Sequence, residues 1–464
     1  MDDLGVRYYL RFLEGLLVVL FAASLPVSLT ASWILFTAGL ITSIVVFFVE
    51  RRQDGATPAP AHQFQVLSRA PLTLPMFLFL LVVTISGAYN SSGGADVLKQ
   101  GWRSLWALKG LFIYFWARWV FARHPGLLFS ALQALLIVAG VGGVWGTIQQ
   151  VFNFHPFGYQ YLQGTGFHGG PMPFAGQMQL FSMLALALVA CRGYGAFQPG
   201  VVICGKKLLP GVLHKAPVMV IVCVCNCLGL LFAGERSAWA GGVAGILLLA
   251  ALLGRKIFGI TMAALAVLAA AAWTFVPLVR VRIESLFNGQ SDISVQARLI
   301  LWDKARLLWQ KSPLLGVGIE NFPPQAMPEA VVPGRSFVLD HAHSNYFHLL
   351  ATTGALGLAT YAVLWITALT SGVRNYLSAQ TPHWRALYLG VTAGTSRPYG
   401  LRAFEYNFGT SHVRIAQWFL LGILGLSAYE AGLVAEASSS EHSAPDTAPG
   451  DSSASNRFLT SAAD

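Results

Sequence analysis

The run Asp340-His341-Ala342-His343-Ser344-Asn345-Tyr346 puts two imidazoles where a long polar segment gives way to the apolar stretch from Phe347 to Thr370. Only 11% of the chain is charged, and in so apolar a sequence an ionisable cluster at such a border is a candidate active site. Neutral imidazole is the side chain suited to take a proton from a hydroxyl near pH 7. His343 precedes Ser344 and Asn345, both able to cap a helix, and a helix N-terminus disfavours the imidazolium form. His343 is therefore the candidate base, with His341 as its rival two residues away. The plainer alternative is a histidine hydrogen-bonded at a helix start.

Two arginines stand in comparable surroundings. Gly234-Glu235-Arg236-Ser237 joins two apolar runs with almost nothing between them. An arginine left in lipid costs about 2.5–3.5 kcal/mol on insertion scales, so an aqueous or anionic partner is expected for Arg236. The alternative is a charged hairpin turn in which Glu235 pairs with Arg236. Between Gln296 and Trp309, the spacing of Leu299, Trp302, Arg306 and Trp309 predicts an amphipathic helix at the interface, with Arg298, Trp302 and Ala305 approaching one another at i, i+4 and i+7. Arg298 then lies beside an aromatic wall, or snorkels to water as Arg306 does. The segment Pro313 to Phe322 ends this helix in a glycine-bearing turn.

Guanidinium binds phosphate bidentately and keeps its charge, so two arginines and a histidine on one face suit a phosphorylated, lipid-borne substrate. A diphosphate leaving group needs charge stabilisation, while an attacking hydroxyl has to lose its proton. Asp292, Asp303 and Asp340 stand singly, and no Asp-x-Asp in these segments would hold a divalent ion against a diphosphate. The expectation is catalysis without a metal or other cofactor, with arginines supplying the charge. The segment Phe152 to Phe174 carries aromatics and glycines but no Lys, Arg, Asp or Glu. It suits sugar faces, and it equally suits an interfacial belt.

The elements that must position these residues are apolar runs of membrane-spanning length. The chain has 464 residues, of which 55% are hydrophobic and 12% aromatic. Runs near Tyr9–Leu29, Ala31–Val49, Leu72–Tyr89, Leu105–Phe121, Leu127–Val151, Ala175–Ala190, Val212–Ala233, Ala238–Leu253, Ile257–Pro277, Phe347–Thr370, Trp384–Gly394 and Val413–Val434 predict an all-α integral membrane protein of about twelve transmembrane helices. The eleventh is the weakest, because Gly390, Thr392 and Gly394 dilute its apolar character. The first is long and lacks a small-x-small cleavage site, so it is read as a retained helix.

The organisation expected is an N-terminal bundle of about nine helices over 1–277, a large, partly helical loop over 278–342 between helices 9 and 10, C-terminal helices over 343–435, and a disordered Ser-, Ala-, Asp- and Pro-rich tail over 436–464. No internal repeat points to a duplicated transporter.

The formal charge of +10 is not read as nucleic-acid binding, because the basic residues are scattered between apolar runs as the positive-inside rule requires. Arg51, Arg52 and Arg69 share a side with Arg118 and Arg123, with Arg192, Lys206, Lys207 and Lys215, with Arg255 and Lys256, and with Arg374. That side is the cytoplasm, and the N-terminus and tail lie there. Counting spans then places Arg236, the 278–342 loop, Phe152–Phe174, Asn90–Arg103 and Thr395–His412 on the exported face. The five cysteines lie in helices or on the cytoplasmic side, so no exported disulfide is expected. Cys225 points away from Cys223 and Cys227 on one helix, which favours packing over metal binding.

Three of these segments resemble the O-antigen ligases of Gram-negative bacteria, within the superfamily that includes O-antigen polymerases and bacterial protein O-oligosaccharyltransferases. His343-Ser344-x-x-Phe347 followed by Gly354 is similar to the ligase pattern His-Ser-x-x-Leu-x6-Gly, with Phe347 in the Leu position. Gly234-Glu-Arg-Ser-Ala-Trp239 resembles the family's arginine turn. Gln296-Ala-Arg-Leu-x-x-Trp302 with Pro313-Leu-Leu-Gly-Val-Gly resembles its long-loop signature. The order and spacing agree over about the last half of the chain.

The resemblance implies a glycosyltransferase of GT-C-like architecture in the bacterial inner membrane with its active site facing the periplasm. It would move O-antigen polysaccharide, with anomeric inversion, from undecaprenyl diphosphate to a sugar hydroxyl of lipid A-core, completing lipopolysaccharide. It gives Arg236 and Arg298 the diphosphate and His343 the acceptor hydroxyl, with His341, Glu235, Trp302 and Asn345 in support. Gln163 stands where relatives often carry arginine, which departs from the pattern. The rival readings are an O-antigen polymerase using the same donor and a transporter of lipid-linked glycan.

Overall fold

The computed structural model describes residues 3–53, 70–91, 94–156, 163–287, 293–319, 321–322, 341–396 and 411–426. The tail from 436, residues 397–410 of the expected exported segment Thr395–His412, and much of the 278–342 loop, including Asp292 and Asp340, lie outside them.

Helix dominates the rest. The first half holds α1 (Asp3–Ser24), α2 (Leu29–Gln53), α3 (Thr73–Tyr89), α4 (Ala95–Ala107), α5 (Leu111–Arg123), α6 (Pro125–Val151) and α7 (Pro171–Ala190). After these come α8 (Ala216–Phe232), α9 (Arg236–Leu253), α10 (Arg255–Phe275), α11 (Pro277–Phe287), α12 (Ile293–Lys311), α13 (Asn345–Ser378), α14 (Pro382–Thr395) and α15 (Ser411–Leu424). Within the described residues each of the twelve expected apolar runs overlaps helix, residues 427–434 of the last lying outside them. Six of them, α2, α6, α7, α9, α10 and α13, are by length and composition apolar enough to cross a membrane, and α3 and α8 are shorter apolar helices. The chain is a multi-pass membrane protein.

Four expectations change. The run Leu105–Phe121 is not one helix, because α4 closes in a turn at Leu108–Gly110 before α5 begins. The Lys109 ammonium at that turn sits over the rings of Trp33 and Trp106, at 4.9 and 4.5 Å. The polar segment Asn90–Arg103 is thus largely α4 rather than loop. Arg118, expected among the basic loop residues, is buried inside α5, in the bundle beside Tyr114 and Gly425. The all-helical expectation also misses an antiparallel hairpin of β1 (Val201–Ile203) and β2 (Lys206–Leu209), closed by the two-residue turn Cys204-Gly205.

The weak eleventh run forms α14, and its glycines explain both the weak signal and the helix. A Cβ on Gly390 would lie 2.8 Å from the Leu184 backbone of α7. Small residues let two apolar helices approach closely, which substitutes for the missing hydrophobicity. Around this pair, α6 packs on α8, α7 on α8 and α9, α1 on α2 and α6, α5 on α15, and α13 on α3 and α14. The buried core runs through these contacts. By contrast α10 buries no residue, and its main packing among the described residues is on its neighbours in sequence, α9 and α11.

Candidate active site

The α13 N-terminus is built by its cap. Ser344 is extended, and its hydroxyl accepts from Phe347 N at 3.3 Å. His343, one residue earlier, adopts a left-handed backbone with φ of 47°, a region few non-glycine residues occupy and one common at functional sites. Its neighbours hold it there. The Trp302 indole donates to the carbonyl of buried Ala342 at 3.0 Å, and its ring stacks on Phe347 with centroids 4.9 Å apart. The rings of His341 and His343 lie 4.2 Å apart, both half-buried, and Asn345 is buried. His341 and His343 are therefore one paired cluster rather than two separate candidates.

At its tenth residue α13 breaks. Gly354 has φ of 67° and ψ of −166°, and the segment Pro313 to Gly318 runs alongside the gap. Val317 and Gly318 donate to the carbonyls of Ala351 and Thr352 at 2.9 and 2.8 Å, while Ala355 and Leu356 donate to those of Pro313 and Leu314 at 2.8 and 3.2 Å. The break would otherwise leave those backbone groups without partners in the interior. A Cβ on Gly316 would lie 2.3 Å from Thr352, and one on Gly354 would lie 2.3 Å from Leu314. From α3, the Ser86 hydroxyl lies 2.5 Å from Leu315 O and 2.9 Å from Thr352 O, and the Asn90 amide donates to Gly316 O at 2.9 Å. The glycine-bearing turn after α12 is present as expected, but it is also half of a backbone clasp that fixes the first turns of α13.

The buried face of α12 differs from the expected one. Leu301, Ala305 and Leu308 are buried against Val317, Phe322, Ala342 and Ala351, whereas Leu299 is 57% exposed and Arg306 turns outward to pair with Asp303 at 2.9 Å. The helix is seated on α13 through Leu301, Ala305 and Leu308. Trp302 borders this face, and half-buried Arg298 lies one turn before it.

Arg236 opens α9 directly after a tight turn. Gly234 has φ of 66°, Glu235 is extended, and the Trp239 indole lies 3.0 Å from the carbonyls of both Leu230 and Leu231 across the corner. Buried Gln163 secures the turn from the opposite side. Its amide nitrogen is 3.3 Å from Gly234 O and 3.4 Å from Glu235 Oε1, and Gly164 N donates to Phe232 O at 2.9 Å.

Beside that turn is a small cavity of about 340 Å³ lined by Gln149, His155, Thr165 and His168. Gln149 accepts from Thr165 N at 2.9 Å and donates to Gly166 O at 3.1 Å. Burial, reinforced by His412, pushes the His168 imidazole down to about 3, so it is neutral at pH 7 and shares a 3.0 Å hydrogen bond with Gln177. Sequence reading missed Gln149, His168 and Gln177. The uncharged character of Phe152–Phe174 concealed His168, and the apolar helices α6 and α7 concealed Gln149 and Gln177; the signal available was the recurrence of Gln and His in otherwise apolar surroundings.

The structure thus assembles the expected residues in two groups. Arg298, Trp302, His341, His343 and Asn345 gather where α12 meets α13. Glu235, Arg236 and Gln163 gather at the α8–α9 turn. The groups rest on different elements, since α12 packs on α13 while α9 packs on α7, α10 and α14. Among the described residues no three His, Cys, Asp or Glu side chains come together in a metal-binding arrangement. Each group carries one guanidinium, Arg298 in the first and Arg236 in the second.

Residues 221–362 match the family model described as O-antigen ligase, a segment running from α8 through Arg236, Arg298 and His343 into α13. Comparison with curated proteins found no match.

Proposed function

We propose, from the premise that residues 221–362 are an O-antigen ligase family domain, that the chain transfers O-antigen polysaccharide from undecaprenyl diphosphate to a sugar hydroxyl of lipid A-core. In this reading about twelve spans form a GT-C-like bundle in the inner membrane, and both residue groups face the periplasm. Arg236 and Arg298 bind the diphosphate. His343 takes the proton of the acceptor hydroxyl, whose oxygen bonds to the anomeric carbon as the carbon–oxygen bond to the diphosphate breaks. The electron pair leaves on undecaprenyl diphosphate, and direct displacement inverts the anomeric centre. Guanidinium charge takes the place of a metal ion. Glu235 and Gln163 steady the arginine turn, while His341, Trp302 and Asn345 steady the histidine.

The observation that carries this reading is His343 itself. It stands inside the matched segment in a left-handed backbone, immediately before a capped helix, and is braced by Trp302 and by the clasp at Gly354. The test is to incubate the purified chain in detergent with lipid-linked O-antigen and lipid A-core in excess chelator. Capped core is the expected product, and it should disappear with His343→Ala. Longer lipid-linked chains without capped core would replace the reading with a polymerase. Absence of any glycosyl transfer would favour a transporter, and activity that survives His343→Ala would remove the base assignment.

A further inference from the structure

A second site lies far from the arginine turn. The α1 helix, the α5–α6 junction and the β hairpin border a cavity of about 850 Å³ lined by Arg7, Arg11 and Arg123, with Tyr8 and His124; Arg11 is the more exposed and Arg123 is largely buried against Glu14. Among the described residues no Asp or Glu lines it. The carboxylates that pair with its arginines stand behind the wall. Glu50 accepts from Arg11 at 2.7 Å, and buried Glu14 accepts from Arg123. Those pairs hold the guanidiniums in place without filling the space in front of them.

Three further observations describe what fits the cavity. The first turn of α6, a 27-residue helix, forms part of the wall at Pro125 and Gly126, and a long helix N-terminus carries partial positive charge that favours anions. The Lys206 ammonium stands nearby over the rings of Tyr8 and Phe12, at 5.3 and 5.8 Å. His124 is pushed down to about 4, chiefly by burial and further by Arg123 and Arg11. The remaining wall is apolar, with Leu127, Phe129 and Val202. Because α6 is a membrane-spanning helix, its first turn sits at head-group depth.

We infer that this cavity binds the phosphate of an anionic lipid, with the phosphate against Arg7, Arg11 and Arg123 and the acyl chains along the apolar wall. It is separate from the arginine turn, since α6 rises about 35 Å between Gly126 here and Gln149 beside the Gln163 loop. Guanidiniums with apolar walls match a phosphate esterified to apolar chains better than a fully hydrated ion.

The experiment is native mass spectrometry of the full chain titrated with phosphatidylglycerol, phosphatidylcholine, glycerol 3-phosphate and inorganic phosphate. Phosphatidylglycerol should bind at least about tenfold more tightly than phosphatidylcholine. The variant Arg7→Gln/Arg11→Gln should lose about tenfold or more of that affinity, as removal of charge-assisted hydrogen bonds predicts. Gly126→Leu tests the cavity without touching an ion pair, since a side chain there projects into open space, and it should exclude the lipid equally. Tight binding of either soluble phosphate at the same arginines would keep the phosphate site and overturn its lipid source. Equal retention of both lipids, or unchanged phosphatidylglycerol binding in Gly126→Leu, would overturn the site.

Discussion

The indole nitrogen of Trp302 donates to the carbonyl of Ala342 across 3.0 Å, tying the middle of α12 to the residue that precedes His343. Trp302→Phe keeps the stacking on Phe347 and removes this one hydrogen bond. Leaving a buried carbonyl without its donor costs about 1–3 kcal/mol. On the proposed reading, in which Trp302 steadies His343, kcat should fall about tenfold, equivalent to about 1.4 kcal/mol, with KM nearly unchanged. Steady-state kinetics check this, and a rise in KM at constant kcat would instead mark Trp302 as a substrate contact.

The clasp makes a separate prediction. Gly316→Ala and Gly354→Ala each set a Cβ 2.3 Å from backbone atoms at a positive φ, and backbone cannot move aside as a flexible side chain does. Each substitution should cost at least about 2 kcal/mol, combining overpacking with left-handed strain. Thermal unfolding of the purified variants measures it. Gly126→Ala serves as the control, because its added Cβ meets nothing within 4 Å, and it should leave Tm unchanged or slightly raised.

These two predictions also mark what the sequence could reveal. Apolar length marked most of the helices, α14 among them, but neither α4 nor the break at Leu108–Gly110, and charge against an apolar background singled out His343, Arg236 and Arg298 as candidates. The cap at Ser344 followed from residue type alone. The clasp did not, because its hydrogen bonds run through backbone atoms of Pro313–Gly318 and Ala351–Leu356, which carry no residue-type signal beyond Gly316, Gly318 and Gly354. The buried face of α12 was misread for a related reason. Leu299 and Leu301 are equally apolar, and only the position of α13 decides which is covered.

His168 gives a pH dependence whose sign can be worked out. Its folded value, about 3, lies below the ordinary 6.5 because burial and His412 oppose the imidazolium. The unfolded chain therefore binds the proton first, and stability is fully present above about pH 6.5 and lost as pH falls toward 3. The slope attributable to His168 is at most about 1.4 kcal/mol per pH unit. The Tm should fall between pH 7 and pH 5, and His168→Gln should flatten that fall. A Tm that rises on acidification would contradict the buried neutral state.

The arginines carry the most direct test of the diphosphate reading. Arg236 begins α9 at a turn fixed by Gln163 and Trp239, and Arg298 sits one turn from Trp302. Arg236→Ala and Arg298→Ala should insert and fold as the parent does. Removing one charged partner of a desolvated phosphate costs about 2–5 kcal/mol, so turnover should drop by at least about thirtyfold in each. Arginine holds a phosphate through two parallel N–H groups and lysine only as a point charge. Arg236→Lys and Arg298→Lys should therefore recover part of the loss, and binding of undecaprenyl diphosphate itself should follow the same order. If one arginine can be replaced by alanine without loss of that binding, the two groups of residues do not share a diphosphate, and that residue has a different partner.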